Sequence, residues 1–173
     1  ISEKLGYSIR HTHRLHRIAL ETLEKEIKEN AWEWNKTQKK AIFNALNNNL
    51  SILTGGPGTG KTTVVNGILR CYAHLNDVDL NKERDNRIML MAPTGKASKR
   101  MQETTKYYAS TIHRQLGYNF EEGFFYNEEQ YLPASLIIID EFSMVDIYLA
   151  WYLFRAIHLN CKVVIVGDTD QLP

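Results

Sequence analysis

The run Gly55-Gly56-Pro57-Gly58-Thr59-Gly60-Lys61-Thr62 has the residue types and spacing to hold a chain of phosphates. It satisfies G-x-x-x-x-G-K-[ST] at every defined position, with an apolar run before it and a helical pattern after it. Glycine permits the positive φ that such a loop needs and lets backbone N–H groups approach an anion without a Cβ in the way. A helix starting at Lys61 would turn its unclaimed N–H groups and the positive end of its dipole toward the same anion. Lys61 adds a point charge for the β- and γ-phosphates, and the Thr62 hydroxyl suits Mg²⁺. The implied ligand is a nucleoside triphosphate with Mg²⁺, ATP in the first instance.

Leu136-Ile137-Ile138-Ile139-Asp140-Glu141 supplies the acidic counterpart. An apolar strand delivers two adjacent carboxylates at its C-terminal end, Asp140 for the Mg²⁺ shell and Glu141 to polarise an attacking water. A further apolar run, Val163–Val166, leads into Gly167-Asp168-Thr169-Asp170-Gln171. The Gln171 amide could report the γ-phosphate, although the same residues also read as a plain turn. Gln38 is open in a similar way. Asn35-x-x-Gln38 is a helix-capping pattern, while an amide can also pair with N6 and N7 of adenine.

The elements that position these residues alternate between strand and helix. Helical periodicity runs over about 12–30, through Leu15, Ile18, Ala19, Leu23 and Ile27, with a favourable charge pair from Glu21 to Lys25. A second helix covers 36–47. Strands are expected at 50–53, 88–91, 136–139 and 162–166, and helices from Lys61, over 96–105, briefly at 112–116, and over 144–157. Unalternated Ile, Leu and Val between helices are what a parallel sheet covered on both faces requires. The expected fold is therefore α/β, a doubly wound, mainly parallel sheet of the P-loop NTPase type, preceded by an N-terminal helix. Residues 118–131 break the rhythm with aromatics on both sides of Glu121-Glu122-Gly123, which predicts a small β-hairpin insertion.

Composition allows a packed domain and little more. The chain has 173 residues, 43% of them hydrophobic, with a net charge of +1. Overall charge thus lends no support to nucleic-acid binding, and that case must come from local residues. Cys71 and Cys161 lack a CxxC or Cys/His spacing and are expected to be buried, reduced thiols. His11, His13 and His16 do not share a helix face, so a solvated basic surface is expected rather than a metal site. No run approaches the ~20 apolar residues that cross a bilayer, so a cytoplasmic protein without a membrane partner is expected. The chain opens at Ile1 and closes at Pro173 just past a strand, so a piece of a longer polypeptide is expected.

Taken in order, these motifs resemble those of the RecD-type superfamily 1 DNA helicases, which include the alpha subunit of exodeoxyribonuclease V. Thr37-Gln38-Lys39-Lys40-Ala41-Ile42 resembles the family's Q motif, and Gly55–Thr63 resembles motif I. Met91-Ala92-Pro93-Thr94-Gly95-Lys96-Ala97 resembles motif Ia, and Ser110-Thr111-Ile112-His113 motif Ib. Asp140–Asp146 resembles motif II, and Val166–Pro173 motif III. The resemblance covers about 35–173, which it marks as a first RecA-like lobe, with 1–34 an N-terminal helical segment or linker.

What the resemblance implies is specific. Gln38, Gly56, Pro57, Gly58, Thr59, Gly60, Lys61, Thr62 and Thr63 would bind ATP, with Gln38 on the adenine. Thr62 and Asp140 would hold Mg²⁺, and Lys61, Glu141 and Gln171 would act in hydrolysis. Pro93, Thr94, Gly95, Lys96, Thr111 and His113 would meet single-stranded DNA at its phosphates, although capping of a helix by Ser110 or Thr111 is the plainer role for the latter pair. Phe124 and Phe125, with Phe120 and Tyr126, would stack at a duplex fork, unless they are the packing face of the hairpin. The implied partners are DNA, a second RecA-like lobe of the same polypeptide and subunits of a nuclease complex. Movement would run 5′ to 3′. The family's arginine finger lies on the second lobe, so this piece alone is expected to bind nucleotide, hydrolyse it poorly and unwind nothing. Two other readings stay open: a P-loop ATPase indifferent to DNA, and a nucleotide-dependent switch inside a nuclease complex.

Overall fold

Every residue of Ile88–Ala92 and of Leu136–Ile139 is buried, as strands covered on both faces must be. The computed structural model describes residues 34–81 and 85–168, with positions 14, 17–19, 21, 22, 24 and 25. Five strands form one sheet: β1 (Leu50–Thr54), β2 (Ile88–Ala92), β3 (Ala109–Thr111), β6 (Leu136–Ile139) and β7 (Lys162–Gly167). Their order is β1-β7-β6-β2-β3 and every pairing is parallel. A separate antiparallel hairpin pairs β4 (Tyr118–Asn119) with β5 (Gly123–Phe124).

Successive strand residues feed two cores. Leu90, Leu136, Ile138, Val164 and Val166 pack under α1 (Lys36–Asn47), α2 (Lys61–Leu75) and α3 (Gly95–Thr105). Met89, Met91, Ile137, Ile139, Val163 and Ile165 meet α4 (Ile112–Gln115) and α5 (Ile147–Arg155). The doubly wound α/β sheet expected from the sequence is thus present, with its hairpin insertion. β1 is one of the two edge strands: Leu50 and Ile52 are exposed at 56% and 68%, and among the described residues it pairs only with β7.

Three details differ from expectation. β3 is a strand of three residues where no strand was expected. The helix expected from 144 begins at Ile147, because the Asp146 side chain accepts from the Leu149 amide and caps it. A 3₁₀ turn, Phe142–Met144, fills the gap. The hairpin strands are two residues each, much shorter than the aromatic stretch that announced them. Of the N-terminal segment, the described positions are helical; Ala19 is fully buried and its carbonyl accepts from Cys71 Sγ. Leu15, Leu23, Ile27, His11, His13 and His16 lie outside the described residues.

Both cysteines are buried and neither forms a disulfide, and burial pushes the Cys161 thiol up to about 12. Among the described residues, no helix is long and apolar enough to cross a membrane.

α1 and α2 approach closely at Gly67. A Cβ added at Gly67, in the middle of α2, would stand 2.4 Å from Ile42 Cδ1 and 2.6 Å from the Trp34 ring. Glycine in a helix interior costs about 1 kcal/mol against alanine, so its presence here reflects the approach of α1. Gly67→Ala is expected to destabilise the fold by about 1–3 kcal/mol in urea unfolding, despite its better helix propensity. A gain in stability would show that Trp34 and Ile42 yield freely.

Candidate nucleotide-binding site

Parallel strands place all their carboxyl ends on one edge, and there the sequence motifs converge. From β1 the chain enters the glycine loop. Gly58 and Gly60 have φ of +76° and +83°, and Gly60 caps α2 with no side chain on the helix's first amides. A Cβ on Gly60 would lie 2.5 Å from Gln38 Nε2, so glycine is needed there for both conformation and space. The Thr59 hydroxyl donates to the Gly56 carbonyl at 2.8 Å and closes the loop. Lys61 Nζ donates to the carbonyls of Gly55 and Gly56, the latter at 2.9 Å, and stands 3.9 Å from Asp168 Oδ2.

β6 delivers the carboxylates. The Asp140 amide donates to the Met91 carbonyl on β2, and Asp140 Oδ1 accepts from the Glu141 amide at 2.9 Å. Glu141 has φ +52° and ψ +38°, a left-handed conformation that a residue with a Cβ adopts at a cost. That backbone twist turns the chain sharply from strand into 3₁₀ turn. Asp140 and Glu141 line a cleft of about 330 Å³ with Gly58, Gly60, Lys61 and Thr62. Arg100 and Asp168 complete the wall.

Neither of those two was chosen from the sequence. Asp168 read as part of a turn, and its place became visible only once β7 was seen to lie between β1 and β6. Arg100 carried no signal toward this cleft: it lies four residues after Lys96, on the side of the helix read as facing DNA.

Gln38 makes the cap and also reaches the loop. Its amide donates to Asn35 Oδ1 at 2.9 Å, while its Oε1 accepts from the Asn35 amide at 3.0 Å. Its Nε2 is the group that abuts Gly60. Gln171 lies outside the described residues.

The residues expected to face DNA occupy the neighbouring strand ends. Pro93, Thr94, Gly95 and Lys96 follow β2, and Thr111 ends β3 in register with Ala92. Thr94 and Thr111 each cap a helix, accepting from Ala97 and Arg114 amides. Lys96 and His113 are exposed. Phe124 is only partly exposed. Its ring centroid is 4.6 Å from that of Tyr152 on α5, 5.0 Å from Tyr118 and 5.8 Å from His113. Phe120 and Phe125, at 91% and 56%, are the most exposed rings of the insertion.

A family model described as an AAA domain matches residues 38–173. The chain belongs to that family. Among relatives of this AAA domain, the ATP-dependent RecD2 DNA helicase of Deinococcus radiodurans is 39% identical over 139 residues, which cover 80% of this chain and 18% of that protein. The RecBCD enzyme subunit RecD of Haemophilus influenzae is 34% identical over 157 residues, covering 78% and 24%. The RecD-type resemblance of the motifs is thereby borne out, and the chain spans less than a third of the length of these relatives. The crystal structure of Pif1 helicase from Candida albicans superposes with a TM-score of 0.57 at 21% identity, over 82% of this chain and 34% of that one. At that identity the similarity speaks for the fold.

The left-handed backbone at Glu141 has a measurable consequence. Glu141→Gly is expected to be about 1–2 kcal/mol more stable than Glu141→Ala, because only glycine adopts that conformation freely. Equal unfolding midpoints would show that the turn relaxes when the carboxylate is removed.

Proposed function

We propose that this AAA domain is the ATP-binding motor lobe of a DNA helicase that translocates along single-stranded DNA, 5′ to 3′. The observation that carries the reading is the shared edge: the glycine loop, Asp140 and Glu141 stand beside Thr94 and Thr111 on adjacent strand ends. Support also comes from the relatives whose names describe helicases and a RecBCD subunit.

The residues fit ATP and Mg²⁺. A Cβ at Gly55 or Gly60 would collide with Thr59 Oγ1 or Gln38 Nε2, Gly58 faces open space at φ +76°, and the first amides of α2 have no side-chain cap. The donor set of Thr62 hydroxyl and Asp140 carboxylate suits a hard cation, which when bound would neutralise charge on the terminal phosphates. Gln38 would face the adenine, while Gly56–Thr63 wrap the phosphates. Lys61 exchanges its contacts with Gly55 and Gly56 for phosphate oxygens. Glu141, beside the cleft, would accept a proton from the attacking water, and Gln171 would respond to the terminal phosphate.

DNA would be gripped through its phosphates by Thr94, the Gly95 amide, Lys96, Thr111 and His113, with Pro93 shaping the turn. Both threonines accept from backbone amides, which leaves their hydroxyl hydrogens available to donate. Phe120 and Phe125 are better placed than the packed Phe124 to stack on an exposed base. A second RecA-like lobe of the full-length protein would complete the nucleotide site and supply the arginine finger, so this lobe alone hydrolyses ATP slowly. The RecBCD subunits among its relatives favour, as a second reading, a nucleotide-driven switch within a nuclease complex.

In the full-length protein, oligo-dT is expected to raise ATP hydrolysis by about tenfold or more. Lys61→Ala and Glu141→Gln should each remove at least about 99% of that activity. Hydrolysis indifferent to the strand would remove the motor and leave an ATPase; DNA binding lost with assembly intact in Lys61→Ala would favour the switch. Replacing Phe120 and Phe125 together by Ala should reduce unwinding of a forked duplex with hydrolysis retained. Normal unwinding would end the stacking role at the fork.

A further inference from the structure

The glycine loop and the two carboxylates leave one wall of the cleft to α3, and the side chain α3 places there is Arg100. Arg100 is exposed, and among the described residues its guanidinium has neither an ion-pair partner nor a side-chain hydrogen bond. The other cation of the cleft is engaged: Lys61 donates to two carbonyls and neighbours Asp168. Asp140, Glu141 and Asp168 put three carboxylates against these two cations. A triphosphate entering this cleft therefore needs the second cation, even with Mg²⁺ present.

The topology says which part of the ligand Arg100 meets. Gln38 stands at Gly60, under α1, on the β1 side of the sheet. α3 follows β2, which lies across β6 from β7 and β1. Arg100 is thus at the end of the cleft shared by Asp140 and Glu141, away from Gln38. A nucleotide with its base toward Gln38 runs its phosphates from that side toward Arg100.

We propose that Arg100 is a ligand of the terminal phosphate of the bound triphosphate, so that α3 distinguishes ATP from ADP within this lobe. The inference rests on the nucleotide reading above and adds a residue to it. Arginine suits the role because its planar fork binds two phosphate oxygens at once and stays charged at any working pH. Lysine at the same position offers one point charge and no fork.

The test is equilibrium titration of the full-length protein with fluorescently labelled ADP and with a labelled, non-hydrolysable ATP analogue, both with Mg²⁺. Arg100→Ala is expected to weaken the ATP analogue by about 10- to 100-fold and to change ADP by less than about twofold. Arg100→Lys should recover part of the loss. Equal weakening of both nucleotides, or no change in either, overturns the proposal. Lys61→Ala should weaken both nucleotides. If it binds both like the unaltered protein, the nucleotide reading itself fails, which separates that failure from the failure of Arg100.

Discussion

An all-parallel sheet whose central strands are buried on both faces constrains the whole molecule, because it sends every strand's carboxyl end to one edge and leaves that edge to loops. Positions far apart in the chain meet there without any contact between their own elements being required. The same burial governs register in an unusual way. In a sheet with one wet face, a slip by one residue exposes the apolar set. At β2, β6 and the middle of β7 both faces are dry, and such a slip would trade one buried apolar residue for another. At β6, what resists it is the polar residue at the strand end. Moving β6 by one position would draw Asp140 into the sheet, at the cost of burying a charge without water.

The site is therefore held in place by what cannot be buried, and its strain is concentrated where the strand stops. Glu141 leaves β6 in a left-handed conformation, while its amide serves the neighbouring Asp140 carboxylate. The two acidic side chains are set relative to each other by one peptide unit. Such an arrangement persists only when the surroundings over-determine it. They do: Asp140 is tied to Met91 on β2, and the 3₁₀ turn that follows is closed by the Met144 amide on the Glu141 carbonyl.

How much of this was legible in the sequence follows from the range of each interaction. The glycine loop and the apolar strand ending in Asp140-Glu141 are local, so residue type and spacing sufficed. The capping box at Asn35 and Gln38 is local too, and it forms as written. Arg100 and Asp168 depend on the order of strands, which periodicity does not encode. Thr111 was legible as a cap but not as the end of a strand, since β3 is too short to show a pattern. Phe124 shows the same limit: a ring on a hairpin reads as available until Tyr152, from a distant helix, is found against it.

One of the two edge strands of the sheet is also the one that holds the phosphate loop. β1 presents Leu50 and Ile52 to solvent, and among the described residues its outer backbone edge has no ladder partner. An apolar, open edge is a template for strand addition. Any polypeptide that docked there would align its own backbone with the residues leading into Gly55, and so would stiffen the loop from outside the cleft. Expressed alone, the same lobe would carry that edge as a route to self-association. The solubility of a preparation and the state of its nucleotide site would then be linked through one strand.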